Sequence, residues 1–142
     1  MEKNQIFENI MSRTSVRSYT DMAPLAIVVC GCLDKTLEGT EQEFWIQDCS
    51  AATENILLMA HGLGLGGVWT ALYPLKERYE GMQQLLHLPK TMIPLNTLII
   101  GYPKNQMAAK DKWKEENISY NKFDGEKFII QEKEEEIGKE EK

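Results

Sequence analysis

Hydrophobic and polar positions change their period several times along this 142-residue chain. Between Asn4 and Met11 the residues Ile6, Phe7, Ile10 and Met11 recur at three- and four-residue spacing, which predicts a short amphipathic helix. From Arg13 to Asp21 the sequence RTSVRSYTD shifts toward alternation and predicts extended chain, on which Arg13, Ser15 and Arg17 project to one side. Pro24 then opens LAIVVCGCL, which reads as a buried strand with proline tolerated at its first position. A charged, glycine-containing loop follows from Asp34 to Gln42.

The longest apolar stretch runs from Phe44 to Tyr73. Trp45, Cys49, Ala52, Ile56 and Met59 fall at helical spacing, but Ile46, Ala51, Leu57 and Leu58 fill the gaps between them. A helix apolar on nearly all sides belongs in a core or an interface. Gly62, Gly64, Gly66 and Gly67 are expected to end it in a turn, and Val68, Trp69, Thr70, Leu72 and Tyr73 then read as a strand. Beyond Pro74, LKERYEGMQQLLHL predicts another amphipathic helix with Leu75, Tyr79, Met82 and Leu85 or Leu86 inward. IPLNTLIIGYP, Ile93 to Pro103, predicts a third strand closed by a turn. Strands alternating with helices imply an α/β or α+β layered domain.

Composition narrows the class. A hydrophobic content of 42% suits one domain with a real core, expected over 1–123. The acidic stretch 124–142 contains QEKEEEIGKEEK and is expected to be frayed or disordered. A net charge of −6 argues against nucleic-acid binding. Gln47, Asp48, Glu54 and Asn55 interrupt the apolar run, so no membrane span is expected, and the N-terminus lacks the order of a signal peptide. The expected location is the cytoplasm. Cys30, Cys32 and Cys49, with only His61 and His87, lack the spacing of a zinc site and read as small buried hydrophobes.

Two basic segments stand out in this acidic chain. Arg13, Ser15 and Arg17 can present two guanidinium forks and a hydroxyl, and Lys110 and Lys112 two ammonium groups at the same alternating spacing. Together they could hold a phosphate monoester, or each could be a solvated charge cluster. GLGLGG follows a helix and precedes a strand, the reverse of a dinucleotide fingerprint. Glycines there could still let a planar ligand approach backbone amides. No Ser-His-Asp constellation, metal-binding pair or paired carboxylate of convincing spacing is visible.

Five segments in order, RTSVR, APLAIVVCG, DCSAATENILLMAHGLGLGGVW, IPLNTLIIGYP and KDKWKEENISYNKF, resemble the flavin-dependent nitroreductase family in its smaller bacterial members, from about Ile6 to Phe123. The resemblance implies an α+β fold on a mixed sheet flanked by helices, a buried central helix, and FMN bound at a homodimer interface with NADH or NADPH as reductant. It aligns Arg13 and Ser15, with Thr14 in the same cofactor-binding segment, to residues that hold the FMN phosphate and ribityl chain. Arg17 aligns to a basic residue at the flavin pyrimidine edge, Lys110 and Lys112 to the second part of the phosphate clamp, and Trp69, Thr70 and Ala71 to the strand beside the isoalloxazine ring.

One family segment is absent. After Asp21 the family inserts helices and a loop that contribute polar flavin contacts, whereas this chain passes through Met22 and Ala23 directly to Pro24. The implied activity is hydride transfer from NAD(P)H, by way of FMN, to a small electron-poor acceptor such as a nitroaromatic or quinone, with no dedicated side-chain acid or base. The alternatives are a non-catalytic flavin-binding or structural dimeric remnant, or an interaction module without a small ligand.

Overall fold

The computed structural model describes residues 4–105 and 108–120, with the backbone alone at Glu116. The acidic tail expected over 124–142 lies outside the described residues. The chain divides into two compact units, Met1–Lys110 and Asp111–Lys142. The described part of the second carries a single 3-10 turn, Glu115–Asn117, and an exposed Trp113 and Tyr120.

The first unit begins with helix α1, Gln5–Ser12. Asn4 starts it, its side-chain oxygen accepting from the backbone N–H of Ile6 at 2.9 Å and of Phe7 at 3.4 Å, which satisfies donors that have no partner inside the helix. The expected apolar stripe is present, yet no α1 residue is buried and Ile6 is 71% exposed. Polar contacts hold α1 on the chain instead: Asn9 Nδ2 donates to the Leu58 carbonyl at 2.8 Å.

Three strands, β1 (Leu25–Cys32), β2 (Gly66–Ala71) and β3 (Met92–Gly101), form a sheet in the order β1-β3-β2. Both strand pairs are antiparallel, and parallel pairing enters through the isolated bridge of Ser15 with Gly67. The central position of β3 explains its sequence: with neighbours on both edges, Pro94 to Leu98 are all buried. Val29 pairs with Asn96 but Cys30 with Pro94, leaving Leu95 as an extra residue on β3. That bulge turns two successive side chains toward the same helix. Leu95 packs with Trp45 and Cys49, and Asn96 Nδ2 donates to Thr53 Oγ1 at 2.9 Å.

That helix is α2, Trp45–Gly62, the central helix of the sequence reading. Trp45, Cys49, Thr53, Leu57 and Ala60 are buried at steps of four and three, and Leu57 and Ala60 join Leu98 and Ile100 in one apolar cluster. The opposite side is open in the single chain, where Ala51 and Ala52 are exposed and Met59 is 65% exposed. It borders an apolar groove of about 360 Å³ lined by Leu25, Ile56, Met59, Ala60, Leu63 and Leu65.

Several expectations shift. Gly62 still belongs to α2, and β2 begins at Gly66 rather than Val68. Gly66 and Gly67 are strand residues because their missing side chains make room for Val16 and Leu57. The turn itself is made by Gly64, whose φ of +77° suits glycine. Helix α3, Lys76–Leu85, has half-buried Tyr79 and Met82, but Leu75, Leu85 and Leu86 face outward, so the expected inward face covers only its middle. The loop after β1 contains 3-10 turns at Leu33–Lys35 and Gly39–Phe44. Of the cysteines only Cys49 is buried, while Cys30 and Cys32 are half-buried.

Candidate functional site

The segment after α1 runs along the end of the sheet as extended chain, as its alternation predicts. Ser15 bridges Gly67, and Val16 N–H donates to the Gly67 carbonyl at 3.0 Å. Further on, Tyr19 bridges Pro103, Thr20 N–H donates to Tyr102, and Lys104 N–H donates to Ser18. The Tyr19 hydroxyl fixes the bend between these contacts, its one proton shared between the carbonyls of Val16 at 2.8 Å and Ile99 at 2.9 Å. Burial pushes its pKa up, an effect that the Arg17 charge partly opposes.

Alternation sorts the candidate residues. Thr14 and Val16 are buried, while Arg13 and Ser15 are half-buried and Arg17 is exposed. The bridge to Gly67 sets Ser15 beside the strand that continues into half-buried Trp69 and exposed Thr70 and Ala71. Two of the three parts of the expected site are therefore neighbours. Arg13 Nε lies 3.1 Å from Glu54 Oε1 of α2, so a carboxylate faces the guanidinium assigned to a phosphate. Lys110 is exposed at the end of the first unit, and Lys112 is exposed in the second.

A cleft of about 550 Å³ lies against the inner side of the same segment, lined by Ser12, Thr14, Val16, His61, Leu65 and Pro103, with Ala108 and Ala109. Of the expected cofactor-binding residues only Thr14 lines it. Its polar corner is a pair, Ser12 and His61, that no sequence motif singles out. Ser12 Oγ donates to the Glu8 carbonyl at 2.6 Å and stands 3.0 Å from His61 Nε2. Their 49-residue separation gives no local signal, and only the docking of α1 on the end of α2 joins them. Two of the glycines are closed to a ligand, the space at Gly66 being filled by Val16 and that at Gly67 by Leu57, whereas Gly64 borders open space.

Residues 21–102 match the model of the nitroreductase family. The chain belongs to this family. It is 45% identical over 101 residues to a protein of Methanothermobacter thermautotrophicus named for NADH dehydrogenase/NAD(P)H nitroreductase activity, covering 71% of this chain and 51% of that one. Among solved structures, one from Bacteroides thetaiotaomicron named for the same activity is 29% identical with a TM-score of 0.69, covering 85% of this chain and 99% of that one. An FMN-dependent nitroreductase of Clostridium difficile is 27% identical with a TM-score of 0.63, covering 71% of this chain and 59% of that one. The chain spans about half the length of the curated relatives it matches. The family establishes the α+β fold expected of the sequence. Among the described residues no helix is long and apolar enough to cross a membrane.

Proposed function

We propose that this chain is an FMN-dependent oxidoreductase, working as a cytoplasmic homodimer, that carries electrons from NADH or NADPH to a small electron-poor acceptor such as a nitroaromatic or quinone. The observation that carries the reading is the bridge between Ser15 and Gly67, which lays the RTSVR segment along the start of the strand bearing Trp69, Thr70 and Ala71. The donor set fits a flavin phosphate: Arg13, Ser15 and Arg17 offer charge-assisted and hydroxyl hydrogen bonds beside an exposed strand end. The family resemblance alone assigns Lys110 and Lys112 to the second half of that clamp.

FMN, when bound, supplies the two-electron carrier between nicotinamide and acceptor. The chain's own residues bind and orient it. Arg13, Thr14, Ser15 and Lys110 would hold the phosphate end, the backbone of Trp69 to Ala71 would lie beside the ring, and Arg17 would place positive charge near it, Lys112 being assigned to the phosphate by the family resemblance alone. The open face of α2 and its apolar groove support a second copy of the chain as the cover of this wall.

A second reading is a flavin-binding or structural remnant without turnover. The Arg13–Glu54 ion pair favours it, because a carboxylate at 3.1 Å occupies part of the guanidinium that phosphate needs. Reconstitution of the full chain with FMN, followed by anaerobic NADH or NADPH, tests both. A yellow protein that bleaches supports the enzyme, and a yellow protein that does not bleach supports the remnant. A chain that stays colourless after reconstitution sinks both. Arg13→Ala is expected to weaken FMN binding by about tenfold or more, the range of one charge-assisted hydrogen bond.

A further inference from the structure

We propose that Cys30, Cys32 and Met92 form a sulfur site for a soft monovalent cation of the copper(I) class, on the sheet face turned away from α2. The register places them. Cys30 pairs with Pro94, Gly31 with Ile93, and Cys32 with Met92, without interruption. The middle pair points toward α2: Ile93 packs into the Trp45 cluster, and a β-carbon on Gly31 would collide with the Trp45 ring. Side chains alternate along a strand, and directly paired residues share a face, so the flanking pairs lie on the other side. Cys30, Cys32 and Met92 therefore stand together over Pro94, which is fully buried.

The chemistry of the set selects the ligand. Two thiols and a thioether are soft donors of the kind copper(I) prefers. Among the described residues no three His, Cys, Asp or Glu side chains converge, so a tetrahedral zinc set is missing. Two residues apart on a strand, Cys30 and Cys32 have Cα atoms about 6.6 Å apart, near the upper limit for a disulfide. An ion between the sulfurs spans that gap more readily than a direct S–S bond. Met92, directly across from Cys32, brings its β-carbon to within about 5 Å of the Cys32 β-carbon. All three are half-buried, open enough for a small ion and sheltered from bulk water.

On binding, each thiol releases its proton to solvent and the ion keeps its oxidation state. Two thiolates and one monovalent cation leave one negative charge. Cys49 takes no part, because it packs beside Trp45 and Leu95 on the α2 side.

Anaerobic titration of the full chain with copper(I) against bicinchoninate tests the site. One ion per chain is expected to be held, lost in C30S/C32S, weakened severalfold in M92L, and unchanged in C49S. A second measurement needs no variant: silver(I), a redox-inert stand-in, should protect Cys30 and Cys32 from iodoacetamide, read by peptide mass spectrometry, and leave Cys49 labelling unchanged. Copper retained in C30S/C32S, copper lost in C49S, or the absence of protection at Cys30 and Cys32 would each overturn the proposal.

Discussion

Val16 donates its backbone N–H to the Gly67 carbonyl at 3.0 Å, and its side chain fills the space beside Gly66 so closely that a β-carbon there would fall 2.7 Å from Val16 Cβ. The glycine is thus the condition for the RTSVR segment to lie along β2. Gly66→Ala must push the segment away or strain the strand, at a cost of about 1–3 kcal/mol. The urea midpoint should fall accordingly, and FMN affinity should fall with it. Unchanged affinity in a destabilised Gly66→Ala protein would separate the segment from the flavin site.

How much of this was legible in the sequence depends on the range of the interaction. Periodicity located α1, α2 and the three strands, because burial on one face repeats locally. It misplaced the start of β2, since Gly66 and Gly67 look like a turn until Val16 and Leu57 are seen to occupy their missing side chains. The open outer face of α2 and the outward Leu85 and Leu86 had no sequence signature, because an apolar residue is written the same way whether its own chain covers it or not. In the site, buried Thr14 and Val16 alternate with half-buried Arg13 and Ser15 and exposed Arg17, the pattern that extended chain predicts. Glu54 opposite Arg13, and Ser12 beside His61, arise from helix docking across more than 40 residues, which no local pattern records.

Glu54 competes with any anion for Arg13. Exposed to 46% against 20% for Arg13, it forms a pair worth about 0–1 kcal/mol. Glu54→Gln is therefore expected to tighten FMN binding by up to about fivefold, with little change in thermal stability. Isothermal titration with FMN in low and moderate salt reads the effect, and weaker binding in Glu54→Gln would count against the clamp.

Under β3, Thr53 Oγ1 accepts from Asn96 Nδ2 at 2.9 Å and donates to the Cys49 carbonyl at 2.7 Å. Both residues are fully buried, and Asn96 Oδ1 has no hydrogen-bond partner among the described residues. Thr53→Val removes the acceptor and strands the amide, at a cost of about 1–3 kcal/mol. Thr53→Val combined with Asn96→Leu should cost less than the sum of the two single changes, because the second removes the polar group that the first leaves unpaired. Chemical denaturation of the four proteins measures the coupling, and strict additivity would contradict it.

Tyr19 sets the alkaline behaviour of the segment. Its phenol is held above its usual value by burial, with Arg17 pulling the other way, and ionisation would abolish the bonds to Val16 and Ile99. A folded-state pKa above the unfolded one, about 10 for tyrosine, gives stability that is complete below the unfolded value and lost as pH rises through the folded one. Cys30 and Cys49 shift the same way, each chiefly by burial, with the Cys49 charge adding through the sheet at Cys30 and Asp48 at Cys49. Alkaline loss should therefore begin in the thiol range and continue into the phenol range. Tyr19→Phe lacks both hydroxyl bonds at every pH, which should cost about 1–2 kcal/mol near neutrality. Because the variant has no phenol to ionise, the gap between the two proteins should narrow above about pH 10. Urea midpoints followed from neutral to strongly alkaline pH decide it: a constant gap would mean that the Tyr19 hydroxyl is not coupled to folding.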